Sequence, residues 1–439
     1  MTLEDDAINL HRILKGKIEI HNKVSLSNSK SNDENKEGVL GLIYTPGVAY
    51  VASKINKDKE LAYDYTSKWN NVAIVCDGTR VLGLGNIGPE AALSVMEGKS
   101  VLFKVLGGIN AIPLCIDLTD KEEIIKFVKA IQPGFGAINI EDIESPKVLE
   151  IVERLQKELS IPVFHDDQHG TAIITLAALL NAIKLIGNKD ISKIKIVIAG
   201  AGSAGYGIFK ILHTAGAKNI IVTDSAGALY KNRIVEGDDN NNTNKRNNNN
   251  NTNTYQNNHY KKEIAEKTNP SEIAGSLDDV LKEADVFIGV SGRGQLINKD
   301  SVKSMNQDPI VFALSNPDPE ILPSDAMEAG ARIVATGRSD FVNQINNAVV
   351  FPSILRALLD LRINTLSEDM LVSVASAIAE IVDSNHLKDD YIVPKLDDPR
   401  IIQIVTDTLK NAIQRHVEEQ IKSDGDNMNK NGVPLQELS

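Results

Sequence analysis

The chain is poor in cysteine, in aromatic residues and in long apolar runs, and each shortage argues against a class of protein. Among 439 residues there are only two cysteines, Cys76 and Cys115, which favours buried thiols in a reducing compartment over disulfides or metal ligands. Aromatic residues make up 4% of the chain, so Leu, Ile, Val and Ala must fill the core. The longest largely apolar run, residues 172–180, is far shorter than the ~20 residues of a membrane-spanning helix.

The chain also lacks an excess of positive charge. Its net charge is −12, and no basic stripe alternates with aromatic residues, which argues against nucleic acids and anionic membranes as partners. Near the N-terminus, Glu4, Asp5 and Asp6 stand where a secretory signal carries positive charge, and no apolar segment follows them. We therefore expect a soluble, cytoplasmic protein.

Short apolar runs alternate with helical periods along most of the chain, which is typical of wound α/β sheets. The length exceeds the roughly 100–200 residues of one ordinary domain. We predict an N-terminal α/β domain over residues 1–168 and a Rossmann-type domain with C-terminal helices over residues 169–421. Strands are predicted at 72–76, 101–106, 111–116, 137–140, 162–164, 195–199, 219–223, 286–290, 310–313 and 333–335. Helices are predicted up to residue 14 and at 122–130, 146–159, 170–186, 206–214, 368–382 and 399–419.

Polar segments interrupt this pattern. Residues 27–38 are rich in Ser, Asn and Lys and are predicted to form a loop. Residues 238–258 are dominated by asparagine and cannot bury enough apolar surface to offset the entropy of ordering. We predict a disordered insertion there, with no catalytic role, and a flexible tail over residues 422–439.

A glycine-rich turn follows the predicted strand at 195–199 and opens a helix. In Rossmann folds the first glycine permits the turn, the second lets the backbone approach a pyrophosphate, and the third lets helix and strand pack closely. The helix N-terminus then attracts the phosphates. The next strand ends at Asp224, placed to bind a ribose 2′-hydroxyl; this favours NAD over NADP, although a nearby cation could override the preference. The predicted cofactor contacts are Gly200, Ala201, Gly202, Ser203, Ala204, Gly205 and Asp224.

A second run with the same glycine spacing occupies residues 83–88. No strand ending in an acid follows it about twenty residues later, as a dinucleotide site would require. We predict a tight turn in the first domain.

Acidic side chains follow two predicted strands of the first domain. Glu141 and Asp142 come after one strand, and the run HDDQH at residues 165–169 comes after another. The carboxyl ends of parallel strands line one crevice, so these carboxylates should converge, and all-oxygen ligands suit Mg²⁺ or Mn²⁺. The two histidines suggest zinc, but the run lacks the H-E-x-x-H arrangement and precedes the predicted helix. An acid capping that helix would explain one of the carboxylates but not all of them.

With these motifs, the chain resembles the malic enzymes in their compact bacterial and archaeal form, from about residue 10 to residue 419 apart from the loop near residue 30 and the asparagine-rich insertion. The resemblance rests on YTPGVA at 44–49, DGTRVLGLG at 77–85, MEGK at 96–99, NIED at 139–142, FHDDQHGT at 164–171, SNP at 315–317 and NN at 346–347. It implies oxidative decarboxylation of malate to pyruvate with NAD or NADP and with Mg²⁺ or Mn²⁺. Decarboxylation of oxaloacetate and a homodimeric state are further implications.

The resemblance also assigns roles to individual residues. Tyr44 would be the general acid and Lys99 the general base, with Asp166 supporting Lys99 or the metal. Because a lysine accepts a proton only when it is neutral, we expect the pKa of Lys99 to be lowered from ~10.4 by burial or by nearby positive charge, including the metal. The implied metal ligands are Glu141, Asp142 and Asp167; the implied substrate contacts are Arg80, Asn316 and Asn347, of which Asn316 also approaches the nicotinamide.

Other functions remain open at this point. Malolactic chemistry, which converts malate to lactate with retained NAD, uses similar motifs. A non-catalytic metabolite sensor would have no need of a proton donor, a base and three metal ligands together. An amino-acid dehydrogenase of similar architecture would not need the acidic cluster.

Overall fold

The strands of the described chain form two mainly parallel sheets. A computed structural model describes residues 3–14, 16–24, 39–187, 189–231, 233 and 258–430. The first sheet contains β1 (Asn71–Cys76), β2 (Asn110–Cys115), β3 (Ala137–Glu141) and β4 (Val163–His165), in the order β2-β1-β3-β4 with all pairs parallel. The second contains β5 (Lys195–Ala199), β6 (Asn219–Asp224), β7 (Gly227–Ala228), β8 (Val286–Gly289), β9 (Ile310–Ala313) and β10 (Ile333–Thr336).

The second sheet has the strand order β10-β9-β8-β5-β6-β7, and β7 alone runs antiparallel to its neighbour. The chain leaves β5 toward β6 and later returns to β8 on the other side of β5. That reversal opens a crevice at the carboxyl end of β5, where ligands bind in such sheets. The predicted α/β fold with a Rossmann-type second sheet is confirmed.

Helices cover both faces of these sheets, and none of those described is long and apolar enough to cross a membrane. They are Leu3–Leu14, Val39–Ile43, Gly47–Lys57, Ala62–Tyr65, Gly88–Gly107, Lys121–Ile131, Lys147–Glu158, Thr171–Leu185, Ser203–Thr214, His259–Lys267, Leu277–Leu281, Lys299–Lys303, Pro323–Glu328, Phe351–Leu361, Glu368–Glu380 and Arg400–Lys430. Shorter 3₁₀ turns occupy Lys59–Leu61, Ser67–Asn70, Gln132–Gly134 and Asn347–Val349.

The helix Thr171–Leu185 is the central packing element of the structure. It is apolar on nearly every side and almost entirely buried, as its sequence predicts. Its one buried amide, Asn181, donates hydrogen bonds of 2.9 Å to the carbonyl oxygens of Ala379 and Ile392. The polar group is therefore satisfied, and it ties the central helix to the C-terminal part of the chain.

The strand predicted at residues 101–106 is wrong, because these residues lie in the helix Gly88–Gly107. The short apolar run resembles a buried strand when it is read alone. However, the buried positions Ala92, Met96, Ser100 and Phe103 recur every three or four residues, which is a helical period. The helix ends at Gly108, whose φ of 63° is a typical left-handed cap.

The C-terminal region contains a helix that the sequence pattern did not predict. The helix Phe351–Leu361 packs Phe351 against Phe103, with ring centroids 4.6 Å apart. The last helix, Arg400–Lys430, continues beyond its predicted end at residue 419.

Three predicted segments fall largely outside the described residues. The loop at 27–38, the insertion at 238–257 and the final residues 431–439 belong to this group. Asn258, which we assigned to the insertion, belongs instead to the folded part. Its side chain caps the helix His259–Lys267 by accepting a 3.2 Å hydrogen bond from the Lys261 amide.

The cap formed by Asn258 allows a comparison of two deletion variants that differ only in whether this cap is present. Removing residues 238–257 should leave the melting temperature within about 2 °C, because an asparagine-rich segment buries little apolar surface. The same deletion with Asn258→Ala should lower it by a further ~2–4 °C, because a lost N-cap costs about 1 kcal/mol. Differential scanning calorimetry makes the comparison. A large loss of stability from the deletion alone would show that the insertion is part of the folded core.

Candidate active site

A cleft of about 1430 Å³ runs between the carboxyl ends of the two sheets. Residues of the first domain on its wall include Arg80, Asp142 and Asp167. The second domain contributes residues 199–204 of the glycine-rich turn, together with Asn316 and Asn347. The structure therefore brings most of the predicted site residues to one cavity.

The three predicted metal ligands lie together in this region. Glu141, Asp142 and Asp167 each offer a carboxylate oxygen, and these oxygens lie within 4.8 Å of one another. Asp142 comes directly after β3 and adopts a left-handed φ of 50°, which is uncommon for a residue with a side chain. Its carbonyl accepts a 3.1 Å hydrogen bond from the Arg80 amide. The end of β3 is thus linked to the loop that carries Arg80.

Burial and mutual repulsion make this cluster a poor site for three negative charges. Burial raises the pKa of Glu141 well above its usual range and raises the pKa of Asp142 to about 7; neighbouring carboxylates add to both shifts, and Lys99 opposes them. A divalent cation would relieve the repulsion, and a set of carboxylate oxygens is the donor set that Mg²⁺ and Mn²⁺ prefer. The residues present therefore fit such an ion.

Lys99 lies beside the cluster and contacts two carboxylates. Its Nζ is 2.5 Å from Glu141 Oε1 and 2.7 Å from Asp166 Oδ2, and it lies 4.8 Å from the centre of the Phe351 ring. Burial alone would lower the pKa of Lys99, but Asp166, Glu141 and Asp167 outweigh burial and raise it. The protein groups alone therefore do not lower this pKa, and a lowering by a bound metal stays a prediction. Lys99 remains charged as long as the carboxylates around it are negative.

The two histidines of the HDDQH run do not join the acidic cluster. In the part of the chain that the structure describes, the one group of three potential metal ligands contains only the carboxylates. His169 Nδ1 accepts a hydrogen bond of 3.2 Å from the His165 amide, and burial lowers the pKa of His169 to about 3. These rings are neutral packing groups, so zinc is not favoured.

The HDDQH run precedes the helix Thr171–Leu185, as predicted, but most of the run is itself helical. Residues Asp166–Gly170 form a single π-helical turn that leads directly into Thr171–Leu185. Such turns are rare and occur frequently at functional sites. Here the turn places Asp166 toward Lys99 and Asp167 toward Asp142.

The glycine-rich turn has the geometry of a dinucleotide site. Gly200 has a φ of 123°, and a Cβ on Gly205 would lie 1.8 Å from the Gly200 carbonyl oxygen, so neither position accepts a larger residue. No atom lies within 4 Å of a Cβ built on Gly202, which leaves space for a ligand. The helix begins at Ser203, three residues before its predicted start.

The run at residues 83–88 forms the tight turn that was predicted, closed by hydrogen bonds from Val81 to Gly85 and from Gly88 to Gly78.

Arg80, Asn316 and Asn347 line the cleft between the two ends of the site. Arg80 donates a 3.1 Å hydrogen bond to the carbonyl of Leu82 and lies against Gly292 of the second domain. Its remaining guanidinium N–H groups suit a carboxylate, which such a group binds in a bidentate manner.

Tyr44 does not line this cleft. Lys99, Glu141, Asp166 and Gly205 do not line it either, but they lie beside predicted site residues that do. The side chain of Tyr44 is 67% exposed, and it is absent from the described residues that line the cavity. The flanking helices Val39–Ile43 and Gly47–Lys57 bury none of their residues, although both are largely apolar. Resemblance to a family can assign a role to Tyr44, but it cannot show what the two helices on either side of Tyr44 pack against.

Two features of the site were missed in the sequence. A Cβ on Gly207 would lie 2.2 Å from the carbonyl oxygen of Gln168, so the helix Ser203–Thr214 touches the π-helical turn at a position where only glycine fits. Buried Glu320 accepts hydrogen bonds from the amides of Ser315 and Ser291, and so joins the loops after β8 and β9. An acid after a buried strand, the pattern that revealed Glu141, also marks Glu320.

Comparison with known proteins gives the same assignment over nearly the whole chain. The family model "Malic enzyme, N-terminal domain" matches residues 21–156, and "Malic enzyme, NAD binding domain" matches residues 168–413. The bifunctional malic/malolactic enzyme of Bacillus subtilis is 47% identical over 94% of this chain and 93% of that protein. The NAD-dependent malic enzyme of Geobacillus stearothermophilus is 46% identical over 91% of this chain and 77% of that protein.

A solved structure extends the comparison to the fold. The crystal structure of the NAD-dependent malic enzyme from Thermotoga maritima superposes with a TM-score of 0.82 at 44% identity, covering 92% of this chain and 99% of that one. The two matched domains, the shared fold and the cleft between them lead to one conclusion. The chain belongs to the malic enzyme family.

Proposed function

We propose that the chain oxidises malate with NAD or NADP and decarboxylates the product to pyruvate and CO₂. One observation carries the proposal: the acidic cluster and the glycine-rich turn open into the same cleft, so a metal and a nicotinamide could act on one substrate. Oxaloacetate would also be decarboxylated, because it is the product of the oxidation step.

In this proposal, Glu141, Asp142 and Asp167 hold the divalent cation. When bound, Mg²⁺ or Mn²⁺ supplies positive charge that draws electrons from a carbonyl oxygen and favours loss of CO₂. Arg80 would bind a carboxylate of malate, and Asn316 and Asn347 would contact the substrate and the nicotinamide end of the cofactor. Asp166 is a positioning residue, because its carboxylate holds Lys99 beside Glu141.

Lys99 is proposed as the base that removes the hydroxyl proton of malate. Its contact with Glu141 places it next to the cluster where that hydroxyl would bind. The raised pKa of Lys99 adds a condition: the ammonium group can lose its proton only when the charge of the surrounding carboxylates is compensated.

Tyr44 is proposed as the acid that protonates the three-carbon product, acting from another copy of the chain. Within one chain its ring is exposed and lies outside the cleft lining. The apolar residues around it are also exposed, including Leu40 at 58% and Leu42 at 61%. We infer that these helices pack on a second copy, which makes the protein a homodimer with Tyr44 donated between subunits.

Malolactic turnover is the second candidate, because a relative that is 47% identical carries both activities in its name. One assay separates the two candidates. Malate and Mn²⁺ are supplied with NAD or with NADP, and reduced cofactor, pyruvate and lactate are all measured. Equal amounts of pyruvate and reduced cofactor support the proposal, whereas lactate without net cofactor reduction supports the alternative. The absence of all three products would contradict both.

The metal assignment predicts a specific loss of Mn²⁺ binding. Asp167→Asn removes one anionic ligand without changing size, so the affinity for Mn²⁺ should fall at least about tenfold. Isothermal titration calorimetry measures this without substrate. Asp300→Asn is the control, because Asp300 is 91% exposed and lies in the other domain. Equal Mn²⁺ affinity in both variants would contradict the assignment.

The base assignment predicts a loss of turnover rather than of binding. Lys99→Ala should lower kcat by about 10²–10⁴ while KM for malate changes far less. Lys99→Arg keeps the positive charge between Glu141 and Asp166 but cannot act as a base, so it should be equally slow. Lys104→Ala, on the same helix, is the control. A kcat near that of the native enzyme in Lys99→Arg would remove the base assignment.

Donation of Tyr44 between subunits predicts complementation. Tyr44→Phe and Lys99→Ala should each be nearly inactive alone. Coexpressed in equal amounts, they should recover about a quarter of native activity, because half of the dimers then contain one complete site of two. Activity that stays at the level of the separate variants would place Tyr44 in its own subunit's site.

A further inference from the structure

The two cysteines of the chain lie opposite each other on neighbouring strands. Cys76 is the last residue of β1 and Cys115 is the last residue of β2, and the register of these parallel strands pairs them directly. Both are free thiols. Neighbouring strands lie about 4.8 Å apart, and paired residues point to the same face of a sheet. That spacing lies within the roughly 4.4–6.8 Å that separates the Cα atoms of a disulfide.

The two thiols also interact with each other. The Cys76 thiol donates a hydrogen bond to the sulfur of Cys115, and this bond lowers the pKa of Cys115, although burial and the nearby acids Asp142 and Glu97 oppose the shift. The thiolate is the form of cysteine that reacts with oxidants. The contact therefore makes Cys115 the more reactive of the two and places Cys76 beside it.

The two cysteines differ in their exposure to solvent. Cys76 is fully buried, whereas Cys115 is only partly buried and lies on β2, the edge strand of the first sheet. The expectation of two buried thiols therefore holds for Cys76 alone. An accessible cysteine of lowered pKa beside a second cysteine is the arrangement of redox-sensing pairs, in which the second thiol resolves the oxidised first one.

Cys76 also borders the acidic cluster. On the other side of β1, the register pairs Cys76 with Glu141 of β3, so Cys115, Cys76 and Glu141 form one row across the carboxyl ends of three strands. The Cys76 carbonyl oxygen accepts a 2.9 Å hydrogen bond from the Ile116 amide at the end of this row. Because close-packed interiors transmit strain, a change in the spacing of β1 and β2 here should reach the proposed metal ligand Glu141.

We propose that Cys76 and Cys115 form a reversible disulfide on exposure to hydrogen peroxide, and that this disulfide weakens cation binding by the acidic cluster. The Cys115 thiolate attacks one oxygen of the peroxide, and the O–O bond breaks to give a sulfenic acid on Cys115 and hydroxide. The Cys76 thiol then attacks the sulfenic sulfur, an S–S bond forms and water leaves. The thiols lose two electrons and the peroxide gains them. A small dithiol reverses the oxidation by thiol–disulfide exchange.

Only the effect on cation binding rests on the proposed function, so the disulfide is tested first and without metal. Because the chain has two cysteines, a thiol count reports the bond directly. The reduced full-length protein is treated with hydrogen peroxide, unfolded and titrated with a thiol reagent, beside intact-mass spectrometry and a non-reducing gel. Both thiols should disappear, the mass should fall by two hydrogen atoms, and the chain should stay monomeric on the gel. Dithiothreitol should restore both thiols.

Single variants identify the thiol that reacts first. Cys76→Ala should stop at the sulfenic acid, which dimedone traps on Cys115. Cys115→Ser should keep its remaining thiol under the same treatment, because Cys76 is buried. Circular dichroism and melting temperatures confirm that both variants are folded.

Titration calorimetry with Mn²⁺ tests the link to the acidic cluster. Oxidation should lower the Mn²⁺ affinity of the native protein about tenfold, which is typical when a group that positions a metal ligand is disturbed, and dithiothreitol should restore it. Cys115→Ser, treated in the same way, should keep its affinity. If the reduced protein does not bind Mn²⁺, the metal assignment and the link fail together, while the thiol count still decides on the disulfide.

Three results would overturn the proposal. Two free thiols in the native protein after peroxide treatment would show that the pair does not close. A linked dimer on the non-reducing gel would place the bond between two chains. Equal Mn²⁺ affinity in the reduced and fully oxidised protein would show that the disulfide does not affect the acidic cluster.

Discussion

The site depends on the close packing of one short turn, Asp166–Gly170, between the two domains. The turn begins where β4 ends and continues into the central helix Thr171–Leu185, so the first sheet and the core of the molecule share one segment of backbone. Its carbonyl at Gln168 touches the cofactor helix at Gly207, where a Cβ would leave only 2.2 Å. The turn that carries the proposed metal ligand Asp167 and the helix that follows the glycine-rich turn are thus fixed relative to each other by backbone contact, which is stiffer than contact between side chains.

Electrostatic repulsion is the second constraint. Carboxylates from β3 and from the π-helical turn meet in a buried space, and Lys99 partly offsets their charge. Burial of acids without full compensation costs free energy, and such arrangements occur where ligand binding or catalysis requires them. The same logic operates at the other end of the cleft, where Asp224 has two cationic partners. At each end of the cavity, buried carboxylates therefore form ion pairs with a lysine.

Much of the architecture could be predicted from local sequence. Buried parallel strands are short apolar runs bounded by turns, and acids that follow such strands must meet at the same edge of a sheet. The glycine spacing at 200–205 predicts a tight turn between a strand and a helix. The positive φ of Gly200 and the close approach of Gly205 to the Gly200 carbonyl oxygen agree with such a turn. These features can be predicted from residues that are close in sequence, together with the rule that the carboxyl ends of parallel strands lie at the same edge of a sheet.

The remaining features depend on contacts between distant segments. Residues 101–106 are apolar enough for a strand, and only the wider spacing of Ala92, Met96 and Phe103 identifies the helix. The pKa of Lys99 depends on carboxylates 42 and 67 residues away. Tyr44 is exposed in the described chain, and no local sequence pattern indicates which surface would cover it. The partners of Asp224 come from both sides of a polar insertion, so no local pattern reveals them.

The pairing of Arg233 and Lys261 with one carboxylate also has a consequence for how this chain tolerates change. Arg233 precedes the asparagine-rich stretch and Lys261 follows it. Both residues form ion pairs with Asp224, so the two ends of the stretch are anchored to the same side chain. For a flexible loop between anchored ends, each doubling of length costs only about 0.6 kcal/mol of closure entropy. A change in the number of asparagines in this stretch is therefore expected to cost little folding free energy, because Asp224 pairs with a residue on each side of it.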